Sequence, residues 1–302
     1  MRVVLPKPGK YVVAVSGGVD SMVLLHMLHA HNAKAQKPLW KLTVAHLDHG
    51  IREDSAEDRR LVQKVASEYK LPFVYHKIEL GPDASEAAAR KARYDFLEQV
   101  RASTGADAII TAHHQDDVLE TAIINLVRGS GRKGLTALAN RPGLERPLLH
   151  VPKHVLVAHA KARQLQWRED STNQDTAYLR NYVRHNVLTK FDDDARAQLG
   201  EIITELRAKN HEIDTAIAKQ LEDHIVKGRL DRQWFTHLPH SVAREVMAGW
   251  LRSNGIRSFD SKKLERLVVA AKVGHPGSQF DVMSGVNLIV WADNLALTGL
   301  ER

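Results

Sequence analysis

Apolar positions in the first half of the chain alternate between two rhythms. Short β-branched or continuously apolar runs at 11–15, 41–48, 72–80 and 106–111 read as strands, and a run with no polar alternation marks a strand buried on both faces. Between and after them, apolar residues at helical spacing predict helices over 21–32, 55–70 and 85–101, a fourth ending at 127, and another over 152–167. Ser55 is placed as an N-cap with acidic residues in the turn that follows. Strands alternating with helices imply an α/β fold with a doubly wound parallel sheet. Such sheets take ligands at the carboxyl ends of their strands. Past residue 190 the strand rhythm stops: 201–226 and 241–273 look helical, and 279–283 with 286–291 read as a small hairpin. We therefore expect an α/β domain over 1–190 and a smaller, mainly helical domain over 191–302.

The first strand runs into Ser16-Gly17-Gly18-Val19-Asp20-Ser21 before the first helix begins. Two glycines permit positive φ and close backbone approach, so successive N–H groups can converge on an anion. The helix N-terminus adds unpaired donors and partial positive charge at the same point. Ser16 and Ser21 supply hydroxyls, and Asp20 is suited to hold Mg2+ beside phosphates. The segment lacks the Gly-Lys-Ser/Thr of a P-loop and the spacing of a dinucleotide fingerprint.

Composition narrows the classes. The 302 residues are 43% hydrophobic, enough for a large core, and no stretch approaches the roughly 18 apolar residues of a membrane span. Met1 to Pro6 lacks the apolar centre of a signal peptide, so a cytoplasmic location without membrane association is expected. The absence of cysteine excludes disulfides, thiolate metal sites and iron–sulfur clusters. A net charge of +7 favours a polyanionic partner.

Other candidates cluster at the expected ligand edge. His46 and His49 end the second strand, followed by Arg52, whose type suits phosphate and equally suits a solvated helix entry. Arg90 and Arg93 lie three apart and can face a nucleotide, or form an ordinary cationic helix face. His113, Asp116, Asp117 and Glu120 form His-x-x-Asp-Asp-x-x-Glu at a helix start. Adjacent carboxylates there suit Mg2+ or an ammonium, while an acidic first turn opposing the helix dipole accounts for the same spacing. Arg128, Arg132 and Lys133 belong to a basic, glycine-rich loop that reads as flexible, and Arg180 and Arg184 share one helical face. Trp167 is expected in the core rather than as a stacking platform.

In order, these motifs resemble the tRNA(Ile)-lysidine synthetase family of PP-loop ATP-pyrophosphatases. The resemblance rests on Ser-Gly-Gly-Val-Asp-Ser, His-Leu-Asp-His-Gly-Ile-Arg, Ala-Arg-x-x-Arg-Tyr-x-Phe-Leu and Thr-Ala-His-His-x-Asp-Asp-x-x-Glu-Thr, followed by Arg-Gly-Ser-Gly-x-x-Gly-Leu, Arg-Pro-Leu-Leu, Trp-x-Glu-Asp-x-x-Asn and Arg-Asn-x-x-Arg. It covers roughly residues 10 to 190; Ile51 and Thr136-Ala137 are mild departures, the remainder matches weakly, and the further carboxy-terminal domain of longer members is expected to be missing. The resemblance implies adenylation by ATP of the wobble cytidine of a CAU-anticodon tRNA(Ile). Free L-lysine then displaces AMP to form lysidine. It assigns ATP to Ser16, Gly17, Gly18, Val19, Asp20, Ser21, His46, Arg52 and Arg93. Catalysis falls to Asp20, His113, Asp116 and Asp117, lysine to Asp117 and Glu120, Mg2+ to Asp20 and Asp116, and tRNA to Arg128, Arg132, Lys133, Arg180 and Arg184. A homodimer is left open. A thiolase of the same fold is disfavoured without cysteine. An amidating synthetase related to NAD or GMP synthetases, and a tRNA-binding module without turnover, remain the alternatives.

Overall fold

The structure, a computed structural model, describes residues 3–48, 50, 55–81, 85–169, 179–256 and 259–300. His49, Ile51, Arg52 and the Asp170–Asn173 part of the tryptophan motif lie outside the described residues. The described chain divides into compact units at Thr204 and Glu205.

The first unit is the doubly wound domain. Its elements are β1 (Gly9–Ala14), α1 (Val19–Lys34), β2 (Trp40–Asp48), α2 (Ser55–Glu68), β3 (Phe73–Lys77), α3 (Glu86–Thr104), β4 (Ala108–Ile110), α4 (Gln115–Val127), α5 (Arg132–Leu135), β5 (Leu144–Glu145) and α6 (Lys153–Ala162). α7 (Leu179–Tyr182) runs into a π turn at Val183–Val187, and α8 (Asp193–His224) follows. The strand order is β3-β2-β1-β4-β5, every pairing parallel. Period-two alternation along β1 explains why it sits in the middle. Tyr11, Val13 and Val15 pack with α1, α2 and α6 on one face, through residues such as Leu25, Val62 and Leu156. Val12 turns to the other face, against Phe96, Leu97 and Val100 of α3. Both faces of β1 are dry, as its unbroken apolar run requires.

Chain order reverses between β1 and β4. β2 and β3 lie to one side of β1, β4 and β5 to the other. The carboxyl ends of β1 and β4 therefore flank the topological switch point, where open α/β sheets bind ligands.

Two helices end earlier than their apolar spacing suggests. α6 stops at Ala162 because Gln164 adopts φ 51, with Leu165 N–H donating to Ala160 O and Gln164 N–H to Lys161 O. That is a Schellman closure without glycine, and Leu165 and Trp167 still pack on the core. The expected helix over 241–273 is two helices, α10 (His240–Ser253) and α11 (Ser261–Val273), preceded by α9 (Arg232–His237). Gly255 at φ 82 lets Ile256 N–H reach Leu251 O and stops α10.

The expected hairpin, β8 (Gln279–Met283) with β9 (Val286–Val290), is present and extends into a five-stranded antiparallel sheet. β10 (Asn294–Thr298) and the short pair β6 (Ile225–Val226) and β7 (Arg229–Asp231) complete the order β6-β7-β10-β9-β8. Helices of this second unit bury Phe235, Met247, Trp250 and Leu267 against Val282, Leu288, Val290 and Leu295 of the sheet. β6 and β7 span only two and three residues, too short for a periodic signal. Among the described residues, no helix is long and apolar enough to cross a membrane.

Candidate functional site

The β1–α1 junction is built from main-chain donors. Gly17 sits at φ 95, which only glycine adopts without strain, and a Cβ there would meet Asp58 Cβ at 3.4 Å. Gly18 caps α1 in an extended conformation and, as glycine, supplies no side-chain cap to the first turn, whose amides find no side-chain acceptor among the described residues. Those amides are the orphan donors that make a helix start an anion site. The serine hydroxyls brace the turn. Ser21 Oγ donates to Gly18 O at 2.9 Å and lies 3.2 Å from the Ser16 N–H, while the Gly18 N–H reaches Ser16 Oγ at 3.3 Å. Val19 begins α1 and leans on the core, which fixes the direction of the helix. Asp20 follows, with Oδ1 buried and without a hydrogen-bond partner. Its Oδ2 stands 3.6 Å from His114 Nε2 and 3.7 Å from Lys153 Nζ.

The β4–α4 junction is built from side chains. Its two adjacent histidines behave oppositely. Burial pushes His113 down to about 3, helped by Arg146, Arg90 and Arg93 against the pull of Asp117, so its ring is neutral. Thr111 Oγ1 lies 2.8 Å from His113 Nδ1. Burial also opposes charge on His114, but Asp117, Asp20 and Asp116 outweigh it and raise its pKa. His114 Nε2 is 3.5 Å from Asp117 Oδ2, and that oxygen also accepts the His114 N–H at 2.9 Å. Burial works against ionised Asp117, yet His114, His113, the His114 amide and Arg184 together hold it below the ordinary carboxylate value.

Asp116 and Glu120 are engaged elsewhere. Asp116 Oδ1 accepts the Lys153 N–H at 3.1 Å, capping α6, and Oδ2 lies 3.5 Å from Arg196. Glu120 is fully buried and forked by Arg184, with Nε to Oε1 at 2.6 Å and Nη2 to Oε2 at 3.0 Å. The pairing spacing of Asp117 and Glu120 does not become an open carboxylate pair, because Arg184 from the π turn closes on Glu120.

Between the junctions lies a cleft of about 410 Å³ lined by Ser16, Gly18, Asp20, Ser21, His46, Arg93, His113 and Asp117. His46 is buried, with Nδ1 2.8 Å from the Val15 carbonyl. Since a carbonyl only accepts, the ring proton is on Nδ1, and burial lowers the ring's pKa against that bond. Asp116, Glu120, Arg128, Arg132, Lys133, Arg180 and Arg184 do not line this cleft. The basic segment read as a flexible loop is partly folded: Arg132 and Lys133 lie on α5, tied to α4 by Asn125 Nδ2 to Gly134 O at 2.7 Å and Ser130 N to Asn125 O at 2.9 Å. Sequence reasoning did not single out several polar lining groups, among them Tyr94, Thr111, Asp48, Ser55, Asp58 and Arg168. Asp48 and Ser55 join through Ser55 Oγ to Asp48 Oδ2 at 3.0 Å, and Asp58 holds Arg168 Nε at 2.8 Å. The Arg168 amide in turn bonds Gly17 O at 3.0 Å, so it braces the glycine turn. Arg168 stands at an unspecified position of Trp-x-Glu-Asp-x-x-Asn, which gave it no signal of its own.

A doubly wound sheet with an uncapped Gly-Gly turn at its switch point defines a nucleotide-binding α/β domain. The chain belongs to the PP-loop family, whose domain matches residues 3–191, and this family membership establishes an ATP-using domain. Relatives named tRNA(Ile)-lysidine synthase include one from Nitrosomonas europaea, 32% identical over 91% of this chain and 62% of its own length, and one from Exiguobacterium sibiricum, 33% identical over 91% and 66%. The chain thus spans less than two thirds of these relatives. The U34-tRNA thiolase NcsA from Methanococcus maripaludis shares the fold, with a TM-score of 0.55, 19% identity, and coverage of 67% of this chain and 74% of the thiolase.

Proposed function

We propose that this chain ligates free L-lysine to C2 of the wobble cytidine of a CAU-anticodon tRNA(Ile), through an adenylated tRNA, releasing pyrophosphate and AMP. The observation that carries this reading is the switch-point cleft, where bare α1 amides and the orphaned Asp20 Oδ1 stand opposite Asp117 and His113. The names of the relatives support it. The reaction takes place in the cytoplasm.

The cytidine O2 attacks the α-phosphorus and pyrophosphate leaves. The amides of the first turn of α1 hold the departing charge without having to reorient, in a turn that the serine hydroxyls brace. Arg93 and His46, which also line the cleft, are the further groups that meet the nucleotide. Lysine Nε, freed of its proton, then attacks C2 and AMP departs. Asp117 lines the cleft as an ionised carboxylate and faces the lysine ammonium; Glu120, forked by Arg184, shapes that wall from behind. Desolvating an ammonium costs several kcal/mol unless a carboxylate replaces its water.

Mg2+ fits part of the expected ligand set. Asp20 Oδ1 is a buried oxygen lacking a partner, as a metal ligand is before binding, whereas both oxygens of Asp116 already face Lys153 N–H and Arg196. Asp20 with phosphate oxygens and water would hold the ion, which neutralises phosphate charge when bound. Arg128, Arg132, Lys133 and Arg180 are proposed to meet tRNA phosphates, and Arg184 to act through Glu120 rather than on RNA.

The test is product release. AMP should form only when tRNA and lysine are both supplied, whereas ATP and tRNA without lysine should release no more than one pyrophosphate per tRNA. Turnover with ammonia and no tRNA would favour an amidating synthetase, and tRNA binding without turnover a non-enzymatic module.

A further inference from the structure

A group of cations beside the cleft meets no carboxylate among the described residues. Arg146 follows β5 and is only 5% exposed. Its Nη1 donates to Ala139 O, but its Nε is buried without a partner. Tyr94, which lines the cleft, lies close enough to Arg146 for its phenol to favour the charged guanidinium, yet its buried oxygen completes no well-aligned hydrogen bond. The Arg90 guanidinium sits 5.0 Å from the Tyr94 ring centroid and that of Arg141 5.9 Å away. Among the described residues, none of Arg90, Arg141 and Arg146 forms an ion pair with a carboxylate. They repel one another: burial, then Arg90 and Arg141, lower the pKa of Arg146 against Tyr94, and Arg146 and Arg90 help keep His113 neutral.

Concentrating cations around buried, unsatisfied donors is costly unless an anion completes the site. The position narrows which anion. β5 pairs with β4 on the side away from β1, so Arg141 and Arg146, which flank β5, lie across β4 from the Ser16–Ser21 turn proposed to take the triphosphate. Arg141 is exposed at the sheet edge, leaving an approach for a polymer. A single amino-acid carboxylate needs one guanidinium fork, not a set of them.

We propose that Arg90, Arg141 and Arg146, grouped around Tyr94, form an oxyanion subsite that takes a backbone phosphate of the RNA acceptor next to the reacting nucleotide, separate from the β1 loop. The assignment rests on the RNA-acceptor reading above. Arg90 and Arg141 flank the Tyr94 ring, so the ring serves to hold guanidinium planes rather than to stack a base. Arg146 presents its Nε from the buried side.

The experiment uses Arg90→Gln and Arg141→Gln, neither at a buried position, with thermal midpoints as a folding control. Affinity for an unmodified CAU-anticodon tRNA transcript is measured against KCl concentration, beside the ATP Kd and the lysine KM. Each variant should reduce the log–log salt slope by about one unit and weaken tRNA binding, with ATP Kd and lysine KM unchanged. A fall in ATP affinity with an unchanged slope would assign the cluster to the nucleotide phosphates and overturn the proposal. A raised lysine KM alone would assign it to the amino-acid carboxylate and overturn it equally. Unchanged slopes in variants of a tRNA-binding parent would sink the subsite only. A parent that binds no tRNA at any salt would sink the acceptor reading as well.

Discussion

At the β1–α1 junction the donors are main-chain amides left bare; at the β4–α4 junction they are side chains already committed to one another. The first needs one positive-φ glycine, one Cβ-free cap and an uncapped helix start, all contributed by neighbouring residues. The second needs Arg184, Arg196 and Lys153, brought from as far as 80 positions along the chain (Asp116 to Arg196) to occupy Glu120 and Asp116. Phosphate binding can be encoded locally because every residue carries an amide. Arranging three carboxylates and two histidines within a few ångströms requires counter-charge from elsewhere, or the carboxylates would protonate. The first junction is open for a ligand, and the second uses most of its charge to hold Asp117 and Asp20 in place.

The sharpest way to break this comparison is at Gly18. Its φ of −72 is open to any residue, and a Cβ would meet only Ser16 Oγ at 3.5 Å. Gly18→Val should therefore fold, with a thermal midpoint near the parent's, while its side chain occupies the space a phosphate needs. Pyrophosphate release should fall below detection. Normal turnover by folded Gly18→Val protein would remove the phosphate role from this junction. Gly17→Val, strained at φ 95, should lose stability as well as activity.

That contrast also explains what can be read from residues alone. The alternation of strands and helices, the turn after β1 and the grouping of Ser16, His46, Arg93, His113 and Asp117 at one edge all follow from local pattern plus the rule for parallel sheets. The division of labour inside His-x-x-Asp-Asp-x-x-Glu does not. Spacing places Asp117 and Glu120 near one another, but nothing near Glu120 announces that Arg184 forks it from a π turn. His114 escapes a reading by pattern because a histidine beside another carries no periodic signal, though it contacts more carboxylates than His113. The short strands β5, β6 and β7 are invisible for a simpler reason: two or three residues cannot show a period.

The committed junction is tested next through its stability. Glu120→Ala leaves Arg184 partly buried without its fork, and breaking such a pair costs about 3–5 kcal/mol. Urea unfolding of the first unit should shift by that amount, and Glu120→Gln, which keeps one hydrogen bond, by less. Equal stability of Glu120→Ala and the parent would mean that the pair is not structural and that Glu120 is available to a substrate.

The smallest effect concerns the neutral ring of His113. Its folded pKa of about 3 lies below the ordinary histidine value of 6.5, so the unfolded chain binds a proton that the folded chain refuses between those values. Stability from this group is therefore full above pH 6.5 and falls as pH drops toward 3. His46, also lowered by burial, acts in the same direction, and His114, raised by its carboxylates, in the opposite one. His113→Gln should flatten the acid limb of a stability-against-pH curve without abolishing it, because His46 remains. Thr111→Val removes the 2.8 Å hydrogen bond to Nδ1 and should cost about 1 kcal/mol at neutral pH. Its acid limb should keep the parent's slope, since burial and the arginines, not Thr111, keep the proton off. An acid limb that disappears in Thr111→Val would show that the hydroxyl, rather than the arginines and burial, governs this histidine.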